Sequence, residues 1–287
     1  MALEGLTAGD LVPRLLRGAA WSGATLALVA FFVYLGFPYG LLVDRWIAEV
    51  ESGQPVAIRY QEVSAQPGWL GPGIVVQQGS VHLESGAVIE IDELFVRPAW
   101  SLGWLRGHPS IHLDAQSGDA RLEAFIEAPL HLRGQLEDFD LSRLDAPGAL
   151  GRADLKGRTR VEFDLRRDAD AGWQGTAQLA IADGSFKPPD VGIAIPYERL
   201  EATLQITPAG LLSIESSEME GKHFSGSASG TIQLGDTGGA DALDLDFELK
   251  VPDRAIRNAL RNNKIHVDPT GRGRIHFSGT LANPVYP

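Results

Sequence analysis

Residues 243–251 read LDLDFELKV, so that an apolar side chain alternates with a charged one along the whole segment. A repeat of two is the spacing of a β-strand, in which successive side chains point to opposite faces. A helix would scatter the same apolar residues around its axis. The segment therefore predicts a strand with one apolar face and one charged face.

The same alternation recurs on both sides of this segment. It is clear in residues 154–165 (DLKGRTRVEFDL) and 173–181 (WQGTAQLAI). Weaker copies occupy residues 74–83, 88–96, 111–115, 121–127, 130–136, 200–206, 211–215, 226–234 and 273–281. Gly, Pro, Asp and Asn separate these runs, as is typical of turns between strands. The pattern predicts a mainly β fold: an elongated, curved antiparallel sheet, groove-like or open and barrel-like, with a few short helices. Helical turns are expected over residues 44–52, 98–105, 140–150 and 253–262.

The apolar positions of these strands form the candidate functional surface. At about 25 cal/mol per Å², a wide apolar face must be removed from water, and the sequence predicts little helix to cover it. The sequence does not distinguish three ways to cover this face. The sheet could fold into a sandwich, close into a barrel, or form a trough that holds acyl chains or a partner's apolar surface. The candidate groove or core face comprises Val161, Phe163, Leu165, Leu179, Ile181, Leu245, Phe247, Leu249, Ile275 and Phe277.

Residues 19–43 carry no charged side chain and read AAWSGATLALVAFFVYLGFPYGLLV. About 20 apolar residues in a helix cross the hydrocarbon core of a bilayer. A cleaved signal peptide has a shorter apolar region followed by a small-x-small cleavage site, whereas residues 37–43, where this run ends, offer no Ala-x-Ala. We therefore expect a tail at 1–18, an uncleaved transmembrane anchor at 19–43 and a β-domain at 44–287.

Charge predicts the orientation of this anchor and limits the partners of the domain. Arg14 and Arg17 precede the run, whereas acidic residues surround Arg45 beyond it, which favours the N-terminus inside. The chain has a net charge of −12 and no basic cluster, which argues against nucleic acid as a partner. The absence of cysteine excludes thiol chemistry, disulfides and cysteine-ligated zinc.

The histidines and carboxylates of the sequence do not form a metal-binding motif. None of the seven histidines lies in an H-E-x-x-H motif. Four alternate with apolar strand residues, and we expect them to be solvated on the polar face: His82, His112, His131 and His276. Asp244 and Asp246 share a strand face but lack a calcium loop around them. We expect no metal site.

Catalytic and nucleotide-binding motifs are also missing from the sequence. Residues 226–230 read GSASG, but Ala228 stands where a nucleophile elbow needs serine. The sequence contains neither a phosphate-binding G-x-x-x-x-G-K-[ST] loop nor a G-x-G-x-x-G between a strand and a helix. The expectation is a protein that is not an enzyme and that binds no cofactor.

The end of the anchor and three segments of the domain resemble those of known protein families. An anchor ending in Phe37-Pro38-Tyr39 before a Gly/Leu-rich β-domain resembles the type II secretion system protein N family. Residues 273–284 (GRIHFSGTLANP), 136–144 (LEDFDLSRL) and 226–232 (GSASGTI) are similar to segments of the broader AsmA-like β-domain proteins.

The resemblance implies a single-pass inner-membrane protein of a Gram-negative bacterium, with its C-terminal domain in the periplasm. For the secretion family it implies an accessory component of the type II system that acts through contacts with other secretion components. The alternative, from the AsmA-like group, is a groove that binds or transfers phospholipid acyl chains between the inner and outer membranes. Neither group offers catalytic residues.

Overall fold

The structure is a computed structural model, which describes residues 22–26, 28–29, 32–34, 36–53, 56–68, 71–83, 88–99, 107–128, 130–144, 154–168, 172–187, 194–233, 242–254, 257–258, 267–280 and 284–285. The chain divides into two compact units, Met1–Arg45 and Trp46–Pro287. The expected tail at 1–18 lies outside the described residues.

The described residues of the N-terminal unit are mostly helical. Side chains in this part, such as Leu26 and Phe32, are 70 % and 62 % exposed. Part of the expected anchor, residues 19–21, 27, 30–31 and 35, lies outside the description. No helix built from the described residues combines the length and the hydropathy that a bilayer crossing requires.

Helix α1, Tyr39–Gly53, includes residues 44–52, where the sequence predicts a helix. Near its end, the Glu51 carboxylate accepts a hydrogen bond from the backbone N–H of Ile58 at 2.7 Å. Ile58 belongs to the first strand of the sheet. The Glu51 side chain therefore accepts a hydrogen bond from an edge-strand N–H group that could otherwise pair with another chain.

The rest of the described chain is almost entirely β-strand. The strands are β1 (Val56–Arg59), β2 (Glu62–Gly68), β3 (Gly71–Leu83), β4 (Val88–Pro98), β5 (Ser110–Ser117), β6 (Ala120–Glu127), β7 (His131–Asp140), β8 (Asp154–Asp168), β9 (Gly172–Lys187), β10 (Ile195–Ile206), β11 (Leu211–Gly221), β12 (Phe224–Gln233), β13 (Ala242–Lys250), β14 (Arg272–Thr280) and β15 (Pro284–Val285). The mainly β prediction is confirmed.

All fifteen strands belong to one antiparallel sheet in which neighbours in sequence are neighbours in space. β1 and β2 pair with the two halves of β3 in one continuous register, so they form a single edge strand interrupted at Tyr60 and Gln61. At the other edge lies β15. Within the described strands, the first and last do not pair with each other, so the sheet is open.

Every strand run predicted from the alternation is present, and most strands extend beyond the predicted limits. The helical turn predicted from Pro98 is wrong at that residue, because Pro98 ends strand β4 and stays in register with Ile111. The turn expected after Asp140 exists as the 3-10 helix Leu141–Leu144. The helix expected over residues 253–262 falls mostly outside the described residues.

One cluster of buried side chains provides a packed core at one end of the strands. Its members are Ala120, Phe139, Leu141, Ile181, Tyr197, Phe224, Val251 and Val267, each 9 % exposed or less. Within it, the Tyr197 hydroxyl donates to the Lys156 carbonyl at 2.7 Å. Burial raises the pKa of Tyr197 to about 12.

Candidate functional site

A single row of apolar residues crosses thirteen strands of the sheet. Each member is the register partner of the next, and register partners in an antiparallel sheet lie on the same face. This middle row comprises Ala65, Ile74, Val96, Leu113, Ala124, Gly134, Phe163, Ala177, Leu204, Ile214, Gly230, Leu245 and Phe277. No polar side chain interrupts it.

Two rows flank the middle row on the same face. One runs through Leu132, Leu165, Gly175, Ile206, Leu212, Ile232, Leu243 and Gly279. The other runs through Val63, Val76, Leu94, Ala115, Leu122, Leu136, Val161, Leu179, Ala202 and Ser217, and continues in Ala228, Phe247 and Ile275. We call the three rows together the apolar face.

Ser217 is the one polar member of these rows, and it lies where the register between β11 and β12 shifts. Its hydroxyl donates to the Ala228 carbonyl at 2.8 Å and accepts a hydrogen bond from the Ala228 N–H. The side chain thus replaces backbone bonds that the irregularity would leave unmade, and its polar atom is satisfied.

Eight of the ten residues predicted for the groove or core face lie in these rows. Val161, Leu179, Phe247 and Ile275 share one row, Phe163, Leu245 and Phe277 share the middle row, and Leu165 lies in the third. The remaining two, Ile181 and Leu249, lie in a fourth row, at the packed core.

Burial divides this set of ten residues into two groups. Ile181 is 2 % exposed, and Leu179 and Leu249 pack against the same cluster. Leu245 is also buried, at 8 %. Val161, Phe163, Leu165, Phe247, Ile275 and Phe277 are only half-buried. Most of the apolar face is therefore still partly open to solvent, unlike a closed core.

Glycines in the rows let neighbouring backbones approach closely on this face. Gly230 has φ +136°, and a Cβ built there would lie 2.1 Å from the Asp244 carbonyl oxygen. Gly175 has φ +148°, with the corresponding distance to the Asp164 oxygen only 2.0 Å. A side chain at either position would both strain the backbone and collide with the next strand.

On the other face, histidines lie close to carboxylates. His276 approaches Asp246 at 3.3 Å and Asp244 at 3.8 Å, and His131 approaches Asp164 at 2.7 Å. Across the described part of the chain, no group of three His, Asp or Glu side chains is arranged to hold a metal ion.

His112 departs from the expectation that it is solvated. It is 5 % exposed, with its Nε2 atom 2.9 Å from a Glu123 carboxylate oxygen and its ring centroid 4.6 Å from that of Phe125. Among the described residues, the buried Nδ1 atom has no hydrogen-bond partner. The aromatic Phe125 at a polar-face position was the sequence signal for this local burial, because a fully solvated face rarely carries one.

Comparisons of the chain with protein families, with curated proteins and with solved structures find no match.

Proposed function

We propose that the β-domain is a non-enzymatic, acyl-chain-binding domain, held at the inner membrane by residues 19–43 and working in the periplasm. In this account lipid chains lie against the apolar face. The observation that carries the proposal is the middle row, thirteen apolar residues in unbroken register of which only Ala124 and Leu245 are buried.

The length of this row suits lipid chains. Thirteen strands give twelve steps of about 4.8 Å, or roughly 58 Å along the sheet. One leaflet of a bilayer contributes only half of a hydrocarbon core about 30 Å thick. The row therefore offers several acyl-chain lengths of continuous apolar surface, which is more than a single docked side chain would need.

The composition of the rows also favours flexible chains over a specific polar ligand. Leu, Ile, Val, Phe, Ala and Gly supply nearly every position, and the single hydroxyl, Ser217, is engaged with Ala228. Such a surface provides dispersion contacts and no directional hydrogen bonds. Hydrocarbon chains need only this, whereas a sugar or nucleotide would need donors and acceptors.

A photoreactive phospholipid tests the proposal. The full chain is reconstituted with a lipid that carries a diazirine in its acyl chain, irradiated, and mapped by peptide mass spectrometry. We expect adducts on β8–β14 as well as on residues 19–43. The double variant Phe163→Gln/Phe277→Gln should lose most of the adducts on the strands.

The matched control changes the opposite face of the same two strands. Glu162 and Ser278 each lie beside one of the two phenylalanines in sequence, so Glu162→Gln/Ser278→Gln adds the same side chains without touching the apolar face. Its adducts should match those of the wild type. Adducts confined to residues 19–43, or an equal loss in both double variants, would refute acyl-chain binding by this face.

A second candidate function is an accessory role in type II secretion through protein contacts. The resemblance to the secretion family of an anchor that ends in Phe37-Pro38-Tyr39 before a Gly/Leu-rich β-domain favours it. A deletion strain should then export type II substrates poorly. If Phe163→Gln/Phe277→Gln restores export as well as the wild type does, the secretion role is independent of the apolar face. Normal export without the gene would exclude the role.

A further inference from the structure

The polar face of the sheet contains a cavity of about 1330 Å³ across β8–β14. On one side it is lined by carboxylates of β10 and β11, among them Glu201 and Glu218. The other side is lined by three cationic residues of β13 and β14: Lys250, Arg272 and Arg274. Small side chains of β12, including Ser225 and Ser227, lie between them and leave room above the strands.

Two of these cations are directly opposed. Lys250 and Arg272 are register partners on β13 and β14, and Ser225 is the partner of Lys250 on its other side. Like charges opposite each other in a sheet are destabilising. Among the described residues, neither cation has a carboxylate within 4.0 Å of its side chain.

Three carboxylates that line the same cavity have other partners. Glu248 is approached by Arg274 at 3.9 Å, and Glu201 pairs with Arg199 on its own strand. The carboxylate of Asp268 accepts the Thr270 hydroxyl at 2.7 Å. That hydrogen bond, followed by the one from the backbone N–H of Arg272, lowers the pKa of Asp268.

The turn before β14 fixes the backbone position of Arg272, the first residue of that strand. The Asp268 N–H donates to the Arg272 carbonyl at 2.8 Å, and the Asp268 carboxylate accepts the Arg272 N–H at 2.8 Å. Gly271, at φ +86°, accepts the Val251 N–H at 2.7 Å and has no room for a Cβ, which would lie 2.3 Å from the Val251 oxygen. A well-bonded turn thus holds the backbone of Arg272 opposite Lys250.

We propose that Ser225, Lys250 and Arg272 form a binding site for a phosphate-bearing anion. An ammonium group, a planar guanidinium and a hydroxyl supply donors to several phosphate oxygens at once. A bound anion would also remove the repulsion between the two cations. The site lies on the face opposite the apolar face and does not depend on acyl-chain binding.

Equilibrium dialysis of the full chain against radiolabelled inorganic phosphate and glycerol 3-phosphate tests this site. Vesicles of phosphatidylglycerol, compared with vesicles of phosphatidylcholine, form a second arm. Binding of the free anions identifies a soluble ligand, and a preference for phosphatidylglycerol without binding of the free anions identifies a lipid headgroup. The informative variant is Lys250→Gln/Arg272→Gln.

That variant should weaken the binding at least about tenfold, since two charge-assisted contacts are lost. Its melting temperature without ligand should equal or exceed that of the wild type, because the repulsion is gone. The control Arg166→Gln/Arg167→Gln removes the same charge from β8, away from the cavity, and should bind like the wild type. No saturable binding in either arm, or an equal loss in both double variants, overturns the proposal.

Discussion

Phe247 and Phe277 meet edge to face on the apolar face, with ring centroids 5.1 Å apart and planes at 73°. They lie on the neighbouring strands β13 and β14, one row apart, and each ring remains half-buried. Edge-to-face packing is a favourable arrangement of two aromatic rings. The contact therefore fixes the two rings against each other while leaving both partly exposed to solvent. Substitutions in this region should cost less stability than substitutions in the packed core.

Alanine substitutions of two isoleucines on the same side of the sheet test this difference in stability. Ile181 is 2 % exposed in the core, whereas Ile275 is half-buried beside Phe247. Ile181→Ala should lower the free energy of unfolding by about 2–5 kcal/mol, and Ile275→Ala by about half as much or less. Chemical denaturation of both variants checks this. Equal losses would mean that the face around Ile275 is a closed core.

Thr159 offers a substitution that should stabilise the protein. It is 3 % exposed, and the part of the chain that the structure describes offers its hydroxyl no hydrogen-bond partner. Thr159→Val keeps the shape and removes the unsatisfied group, so the free energy of unfolding should rise by about 1 kcal/mol. The exposed Thr176, changed to Val, is the control and should leave stability nearly unchanged. A loss of stability in Thr159→Val would show that the hydroxyl is in fact satisfied.

Gly230→Ala should destabilise the sheet. The new Cβ would meet the Asp244 carbonyl oxygen at a backbone conformation that suits glycine alone, and such strain costs about 1–3 kcal/mol. Gly79→Ala is the comparison, since a Cβ there meets its nearest atom at 3.6 Å. Thermal melts should show a clear drop for the first variant and little for the second. Similar melts would argue against the close approach of β12 and β13.

Membrane orientation follows from the few charges that flank residues 19–43. A reporter fused after Val50 should be active only in the periplasm. Arg14→Glu/Arg17→Glu should invert or mix the orientation, because positive charge on the inner side is small to begin with. Protease accessibility in spheroplasts reads out both. Unchanged insertion of the double variant would show that domain length, and not charge, sets the orientation.

Alternation in the sequence was enough to predict the strands and to place the predicted apolar residues on one side of the sheet. Phe163 and Phe277 are far apart in the chain, yet the repeat of two assigns both to the apolar positions of their strands. Alternation within a strand does not show which residues of neighbouring strands pair with each other. It therefore could not show that both belong to one row across thirteen strands, nor that Ile181 is buried while Ile275 is half-buried.

Other features escaped the sequence for local physical reasons. β1 and β2 were missed because Val56–Arg59 is only four residues long and Pro67 interrupts the next run. The sequence predicts the start of a helix at Pro98, but the missing N–H of a proline is tolerated equally well at the end of a strand. The burial of His112 depends on Glu123 and Phe125, which the register of β5 and β6 places beside it, and the sequence alone does not reveal that register.

In-cell photocrosslinking tests the central claim most directly. A photoreactive phenylalanine derivative is placed at Leu204, in the middle row, or at its neighbour Thr203, which points to the opposite face. After irradiation of living cells, the purified full chain is analysed for covalently attached phospholipid. The account predicts lipid adducts at position 204 and none above background at 203. Adducts at neither position, or equally at both, would contradict an acyl-chain-binding apolar face.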